Sequence, residues 1–375
     1  MRKKILFTST IGLTIQSFLI PHLKFFLERG FDVGVATNAT SDDLKDLEEL
    51  GVTVHFIPFS RKPWHFDNIR AFLQLRKCMK HYDILHAHTP ISSFLSRMAS
   101  TRRQTTIYMS HGFHFNENGN WLTNFIYRCA EKLAGFKTSL IIVTNTEDLV
   151  AANELIPRHL IQYVPGVGVD LSHYSKGQLT TDQKQQFRQS LGIGEDRTIL
   201  VHIAEFNANK RQIDSVLSIL ELRKTHPDVL LLLIGTGELM QDIQDVIHKE
   251  KLTEHVKCLG FRKDIPLLLE ISDIGILLSL REGLPRSVME MMCMELPVVA
   301  TDIRGNRDLL LDGITGYLVP IKSPLVVAKR CRDLLENDNI NEFGEQGLKR
   351  IQNHFSLEHV MDELDKIYKE LKIYE

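Results

Sequence analysis

The chain of 375 residues lacks the features that would place it in several large classes of protein. Its five cysteines, Cys78, Cys129, Cys258, Cys293 and Cys331, are scattered and form no Cys-x-x-Cys pair. A zinc ribbon or a disulfide framework is therefore excluded, and the thiols read as buried groups in a reducing compartment. No apolar run approaches the length needed to span a bilayer. Met1-Arg-Lys-Lys followed by Ile5-Leu-Phe imitates the start of a signal peptide, but polar residues from Thr8 to Thr10 end the run too soon. The expected location is cytoplasmic. Net charge is only −2, so no general affinity for nucleic acid follows. There is no Asp-x-Asp pair, no repeat and no low-complexity tract.

What is there is the mix of a globular protein, with 43% apolar and 25% charged residues. The length exceeds one ordinary core and fits two domains. Residues 1–170 carry 19 Lys/Arg against 15 Asp/Glu, a net +4, which leaves −6 for the rest and tilts the first half toward an anionic partner. Short apolar runs alternate with helix-period segments, the pattern of βα units on a parallel sheet. Strands are predicted at Lys4–Thr8, Asp32–Thr37, Thr53–Pro58, Ile84–Ala87, Thr106–Ser110 and Leu140–Val143. In the second half they fall at Thr198–Ala204, Val229–Ile234, Val256–Leu259, Ile274–Leu278 and Pro297–Thr301. The expected fold class is α/β, with two Rossmann-like, doubly wound parallel-sheet domains. The domains are placed at 1–171 and 172–355. A periodic helix over 356–375, with Ser356 as its N-cap, has no strand partner and is expected to cross back to the first domain.

The segment richest in chemistry is Ser279-Leu-Arg-Glu-Gly-Leu-Pro-Arg-Ser-Val-Met-Glu290. It follows an apolar strand and opens a helix, with Pro285 expected at the first helical position. Backbone N–H groups at Gly283 and Leu284 would face the strand's carboxyl end, where a diphosphate fits the donors and the dipole. Glu282 in the loop could hold sugar hydroxyls, and Glu290 within the helix could bond a ribose diol. A structural turn with solvent-facing glutamates is the competing reading.

Glu282-Gly-Leu-Pro with Glu290 resembles the signature of glycosyltransferase family 4. Pro297-Val-Val-Ala-Thr, Gly305, Asp312-Gly-Ile-Thr-Gly316 and Leu318-Val-Pro320 extend the likeness, as do Leu233-Ile-Gly-Thr-Gly-Glu238 and Gly260-Phe-Arg262. The first half is similar more loosely, through Asp83-Ile-Leu-His-Ala-His88, Ser110-His-Gly-Phe113 and Pro165–Asp170. The resemblance implies the GT-B architecture, with the donor in the C-terminal domain and the acceptor in the N-terminal one. It also implies transfer with retention from a nucleotide-diphosphate sugar, UDP by likeness, with no cofactor and no essential metal. A lipid-linked glycan in capsule, exopolysaccharide or other cell-surface synthesis is the implied acceptor.

Residue by residue, the resemblance makes His111 the active-site histidine and Lys210 the cation on the donor diphosphate. Glu205 stands where the family usually carries an arginine, and Arg211 is the candidate substitute. Gly235 and Gly237 would line the donor site, Phe261 and Arg262 the base, and Gly12 would let a phosphate approach after the first strand. His86, His88 and His114 sit at different strand ends with no carboxylate at ligand spacing, so no metal is assigned to them. Arg61–His81 carries six basic residues against Asp67, with Phe72, Leu73, Leu75 and Met79 at near-helical spacing. It reads either as a domain helix with its apolar side in the core or as a basic surface resting on anionic lipid. A nucleotide-sugar epimerase and a non-catalytic binding subunit are the rival functions.

Overall fold

The computed structural model describes residues 2–39, 44–117 and 119–374. The chain divides into two units, Met1–Gly166 with Leu364–Glu375, and Val167–Glu363. The division falls five residues before the boundary expected at 171.

The first unit holds a seven-stranded sheet in the order β3-β2-β1-β4-β5-β6-β7. The strands are β1 (Lys4–Ile11), β2 (Asp32–Asn38), β3 (Thr53–Phe56), β4 (Ile84–His88), β5 (Thr105–Ser110), β6 (Leu140–Val143) and β7 (Ile161–Tyr163). Every pair is parallel; Ile5 of β1 stands beside Val33 on one side and Ile84 on the other. Helices cover both faces, so the central strands are buried runs rather than alternating ones: Ile5, Leu6 and Phe7 are all fully buried. Strand order reverses between β1 and β4, which opens a crevice at their carboxyl ends.

The second unit repeats the plan with six strands in the order β10-β9-β8-β11-β12-β13. These are β8 (Thr198–Ile203), β9 (Val229–Ile234), β10 (Val256–Gly260), β11 (Ile274–Leu277), β12 (Val298–Thr301) and β13 (Gly316–Val319). All are parallel, and the reversal falls between β8 and β11. The polar stretch Leu171–Arg197 belongs to this unit. Its helix, Thr181–Ser190, starts at a capping box between Thr180 and Gln183 and is tied down by Lys184 to Glu270 at 2.7 Å.

The C-terminal helix Leu357–Glu370 carries the chain from the second unit back into the first. Ser356 caps it, its hydroxyl accepting from the His359 N–H at 3.2 Å. In the first unit its distal part is held by Tyr368 to His86 at 2.8 Å, by Arg29 to Asp365 at 3.2 Å and by Lys3 to the Ile373 carbonyl at 3.1 Å.

Candidate active site

In the second unit, the residues singled out from the sequence collect at the carboxyl ends of β8 to β12. The loop after β8 brings Lys210 to Glu282 in the turn after β11, with Nζ to Oε1 at 2.5 Å. The two loops are joined by backbone as well. Leu280 N–H donates to the Asn209 carbonyl at 2.8 Å, and the Asn209 side chain donates to the Arg281 carbonyl at 3.0 Å. The ion pair is thus held from both sides and is only partly open to water. Arg304, after β12, is buried and donates from Nε to the Glu282 carbonyl at 3.1 Å. Next to it, Gly305 has φ +82° and lies so close to the turn that a Cβ there would meet the Gly283 carbonyl oxygen at 2.0 Å. Glycine at 305 is required for the turn carrying Gly283 and Leu284 to sit against the β12 loop.

Pro285 is not the first helical residue. It is extended (φ −73°, ψ 118°) and precedes the helix Arg286–Cys293 as its cap. Its carbonyl accepts the first helical bond, from the Met289 N–H at 3.3 Å, so the helix opens one residue later than expected. Glu290 is buried in that helix. Arg286 faces it at 2.8 Å, and the Tyr174 hydroxyl bonds it from the segment after β7. Desolvation raises the Glu290 carboxyl above its usual range, against the pull of Arg286 and Tyr174.

Arg211 goes elsewhere. It has φ +54° at the start of the helix Gln212–Leu222, and its guanidinium makes two bonds to Asp214, at 2.8 and 2.6 Å. Glu205 accepts from the Asn207 side chain at 3.1 Å. Gly235 and Gly237 follow β9, and a side chain at either would strike the backbone of Ala204 or Phe206. These two glycines therefore seat one loop on another. Phe261 is exposed after β10, and Arg262 pairs with Asp264 at 2.8 Å.

In the first unit, His111 lies after β5 and touches His88 of β4, His88 Nδ1 to His111 Nε2 at 2.9 Å. The rings stack in a column. Phe7, His86, His88 and His111 follow at centroid separations of 4.9, 4.6 and 5.1 Å, with interplanar angles of 15° or less. His22 packs edge-on against His88. Desolvation keeps the set neutral: it lowers His111 to about 4 and His22 to about 3, and holds His86 and His88 well below the usual value. Neighbouring histidines push the same way. Among the described residues no group of His, Cys, Asp or Glu stands in a metal-binding arrangement. His114 sits apart, edge-on to Tyr127 at 5.2 Å. Gly12 is buried after β1, where a Cβ would meet the Ala39 side chain at 2.7 Å.

Sequence reasoning missed Arg304, Tyr174, His22 and the partnership of His88 with His111. Only Arg304 carried a local signal, as a cation beside a motif glycine at a strand end.

Two open parallel sheets, each reversed in order and each with its polar residues at the reversal, define the GT-B class of glycosyltransferase. Two family models match: "Glycosyl transferases group 1" over residues 183–350 and "Glycosyl transferase 4-like" over residues 4–145. The chain is 33% identical to the putative glycosyltransferase EpsD of Bacillus subtilis over 98% of its own length and 97% of that protein. The chain belongs to glycosyltransferase family 4 and is a glycosyltransferase. It is also 24% identical, over 94% of its length and 93% of that protein, to UDP-Gal:alpha-D-GlcNAc-diphosphoundecaprenol alpha-1,3-galactosyltransferase of Escherichia coli. The crystal structure of Anabaena HepE in complex with UDP and glucose shares the fold, with TM-score 0.83 and 22% identity over 99% of this chain and 100% of that one.

Proposed function

We propose that the protein transfers a sugar from a UDP-sugar, with retention, to a lipid-linked saccharide in the synthesis of a cell-surface polysaccharide. The observation that carries this reading is the Lys210–Glu282 ion pair, fixed beside the Gly283–Leu284 turn where β8 and β11 part. A diphosphate set on the turn's amides would take over the Lys210 ammonium, and Glu282 would be left to the sugar hydroxyls. Charge growing on the departing diphosphate is then met by Lys210, the amides and the nearby Arg304 guanidinium. Arg211, committed to Asp214, is a weaker candidate for that role than Arg304. Glu290 is assigned to the ribose, and His111, neutral at assay pH, to the sugar near its reacting carbon. No essential metal is assigned. The names of the E. coli galactosyltransferase and of HepE support a UDP-sugar, and the former supports an acceptor on a diphosphate lipid.

A screen of nucleotide sugars for thermal stabilisation tests the donor, since a bound donor raises apparent stability by mass action. Retention is read from the anomeric configuration of the product. Activity is expected to persist in excess EDTA, and loss restored by magnesium or manganese would overturn the metal-free diphosphate site. The epimerase reading is disfavoured by the transferase relatives, and incubation with donor alone would reveal it.

A further inference from the structure

The helix Trp121–Gly135 of the first unit is built inside out. Its one acidic side chain, Glu131, points inward and meets the buried Arg97 at 2.8 Å, with Ala134 and Gly135 beside it. Its large apolar side chains point outward: Trp121, Leu122, Phe125, Ile126 and Leu133 are exposed, and Phe136 just beyond them is 84% exposed. Residues 121, 125, 129 and 133 recur every fourth position and 122 and 126 follow the same step, so they form one stripe. Water does not sustain such a face, and a stripe of this kind marks a surface that something covers.

The charges at its edge say what. Every exposed charge of Trp121–Lys137 is basic: Arg128 is paired with Glu154, while Lys132 and Lys137 are exposed. The helix Pro90–Ala99 packs against this one, and Arg102 and Arg103 in the turn after it are exposed. On the other side of Pro90–Ala99 packs the helix Asp67–Cys78, whose inner side puts Ala71 and Leu75 in the core. Its outer side shows Arg70, Arg76 and Lys77, and Trp64 ahead of it is 87% exposed. A two-fold contact between copies would lay these basic rims against each other. An anionic bilayer meets both the apolar stripe and its rim, and tryptophan suits the boundary between acyl chain and water.

We propose that the Trp121–Gly135 helix is the element by which this protein enters the interface of an anionic membrane, with Arg70, Arg76 and Lys77 as a supporting electrostatic contact. The proposal deepens the reading of a lipid-linked acceptor and rests on it for its purpose. His111 precedes this helix in the chain, so lipid contact and the proposed sugar contact belong to neighbouring stretches of sequence.

Trp64 and Trp121 are the chain's only tryptophans, and both are exposed. A Trp64→Phe variant therefore makes Trp121 the sole reporter. With phosphatidylglycerol vesicles its emission is expected to shift to the blue and to be quenched by brominated acyl chains, with a much weaker response to phosphatidylcholine. Adding Phe125→Ser, Leu133→Ser and Phe136→Ser is expected to cut vesicle partition by about a hundredfold without lowering the melting temperature, because these side chains are exposed. Undiminished partition by that variant would overturn the proposal. So would Trp121 emission that ignores vesicles, or emission already blue in a dimer without lipid, which would give the stripe to a second copy. Stabilisation by nucleotide sugars, measured on the same samples, separates the two readings: donor response without vesicle binding sinks only the membrane helix, and vesicle binding without donor response sinks only the proposed donor.

Discussion

The two units share a topology and use opposite chemistry at the reversal of their sheets. The first fills that place with uncharged aromatic rings, a column from Phe7 through His86 and His88 to His111. The second fills it with fixed opposite charges, Lys210 with Glu282 and Arg286 with Glu290. The difference suits the proposed reaction, in which the second unit would take a charged diphosphate and the first neutral hydroxyls. A buried ion pair contributes little net stability, and its value lies in holding geometry. A neutral histidine stack avoids the cost of burying charge but is exposed to acid.

The sharpest way to break this comparison is to remove one member of the charged site. Glu282→Ala is expected to lower transfer by about 10²–10³-fold while leaving nucleotide affinity intact, as measured by single-turnover assay and UDP titration. If UDP affinity collapses while turnover at saturating donor survives, Glu282 serves the nucleotide and not the sugar. Glu290→Gln acts on the other partner. It is expected to weaken nucleotide binding by about 1.5–3 kcal/mol, and an unchanged dissociation constant would take Glu290 off the ribose.

Acid separates the two units next. Histidines with folded values below 6.5 are neutral in the native state, whereas the unfolded chain takes up their protons. Their stability is complete above about pH 6.5 and is lost as pH falls toward the folded values. For His22, at about 3, the loss at pH 5 is about 2 kcal/mol. The first unit has three further lowered histidines in contact with it or with one another. The second has His202, also at about 3, but Glu290 and Asp273 are raised there, and a raised carboxyl favours the folded state as pH falls. Asp170, held down by its bond from Ser172, works the other way. Tryptophan fluorescence, which reports only the first unit, is expected to show its transition at higher pH than far-ultraviolet dichroism of the whole chain. Coincident transitions would show that the histidine column does not set acid stability.

The smallest expected effect comes from His88. If it orients His111, His88→Asn is expected to lower kcat by about fivefold, near 1 kcal/mol, with the donor KM unchanged. A change in melting temperature alone would leave His88 a packing residue.

Most of the fold was legible because buried parallel strands are short unbroken apolar runs, as in Val229–Ile234. The strands that escaped were β7 and β13, three and four residues long. Gln162 interrupts β7, and β13 opens on a glycine and ends against a proline, so neither makes a run. Lys210 and Glu282, which the structure brings together beside Gly283, drew attention because glycine, proline and charge cluster at a strand end. The partner of Arg211 was not legible, because position along the chain does not reveal that Asp214, one helical turn on, pairs with its guanidinium. Tyr174 and His22 left no local trace, since each matters only through a side chain distant in sequence.

The return of the chain into the first unit has a consequence for its biosynthesis. Val167–Glu363 is one uninterrupted segment and can complete its core while translation continues. The first unit emerges earlier, yet it waits for Tyr368, whose hydroxyl bonds His86, and for the Lys3 contact at Ile373. Throughout that interval its histidine column is open on one side, and the Trp121–Gly135 helix shows an apolar stripe to solvent. A holdase binding the nascent chain is therefore expected to let go late, once Tyr368 and Ile373 have left the ribosome, and a stop codon placed before Tyr368 would damage the oldest part of the protein most.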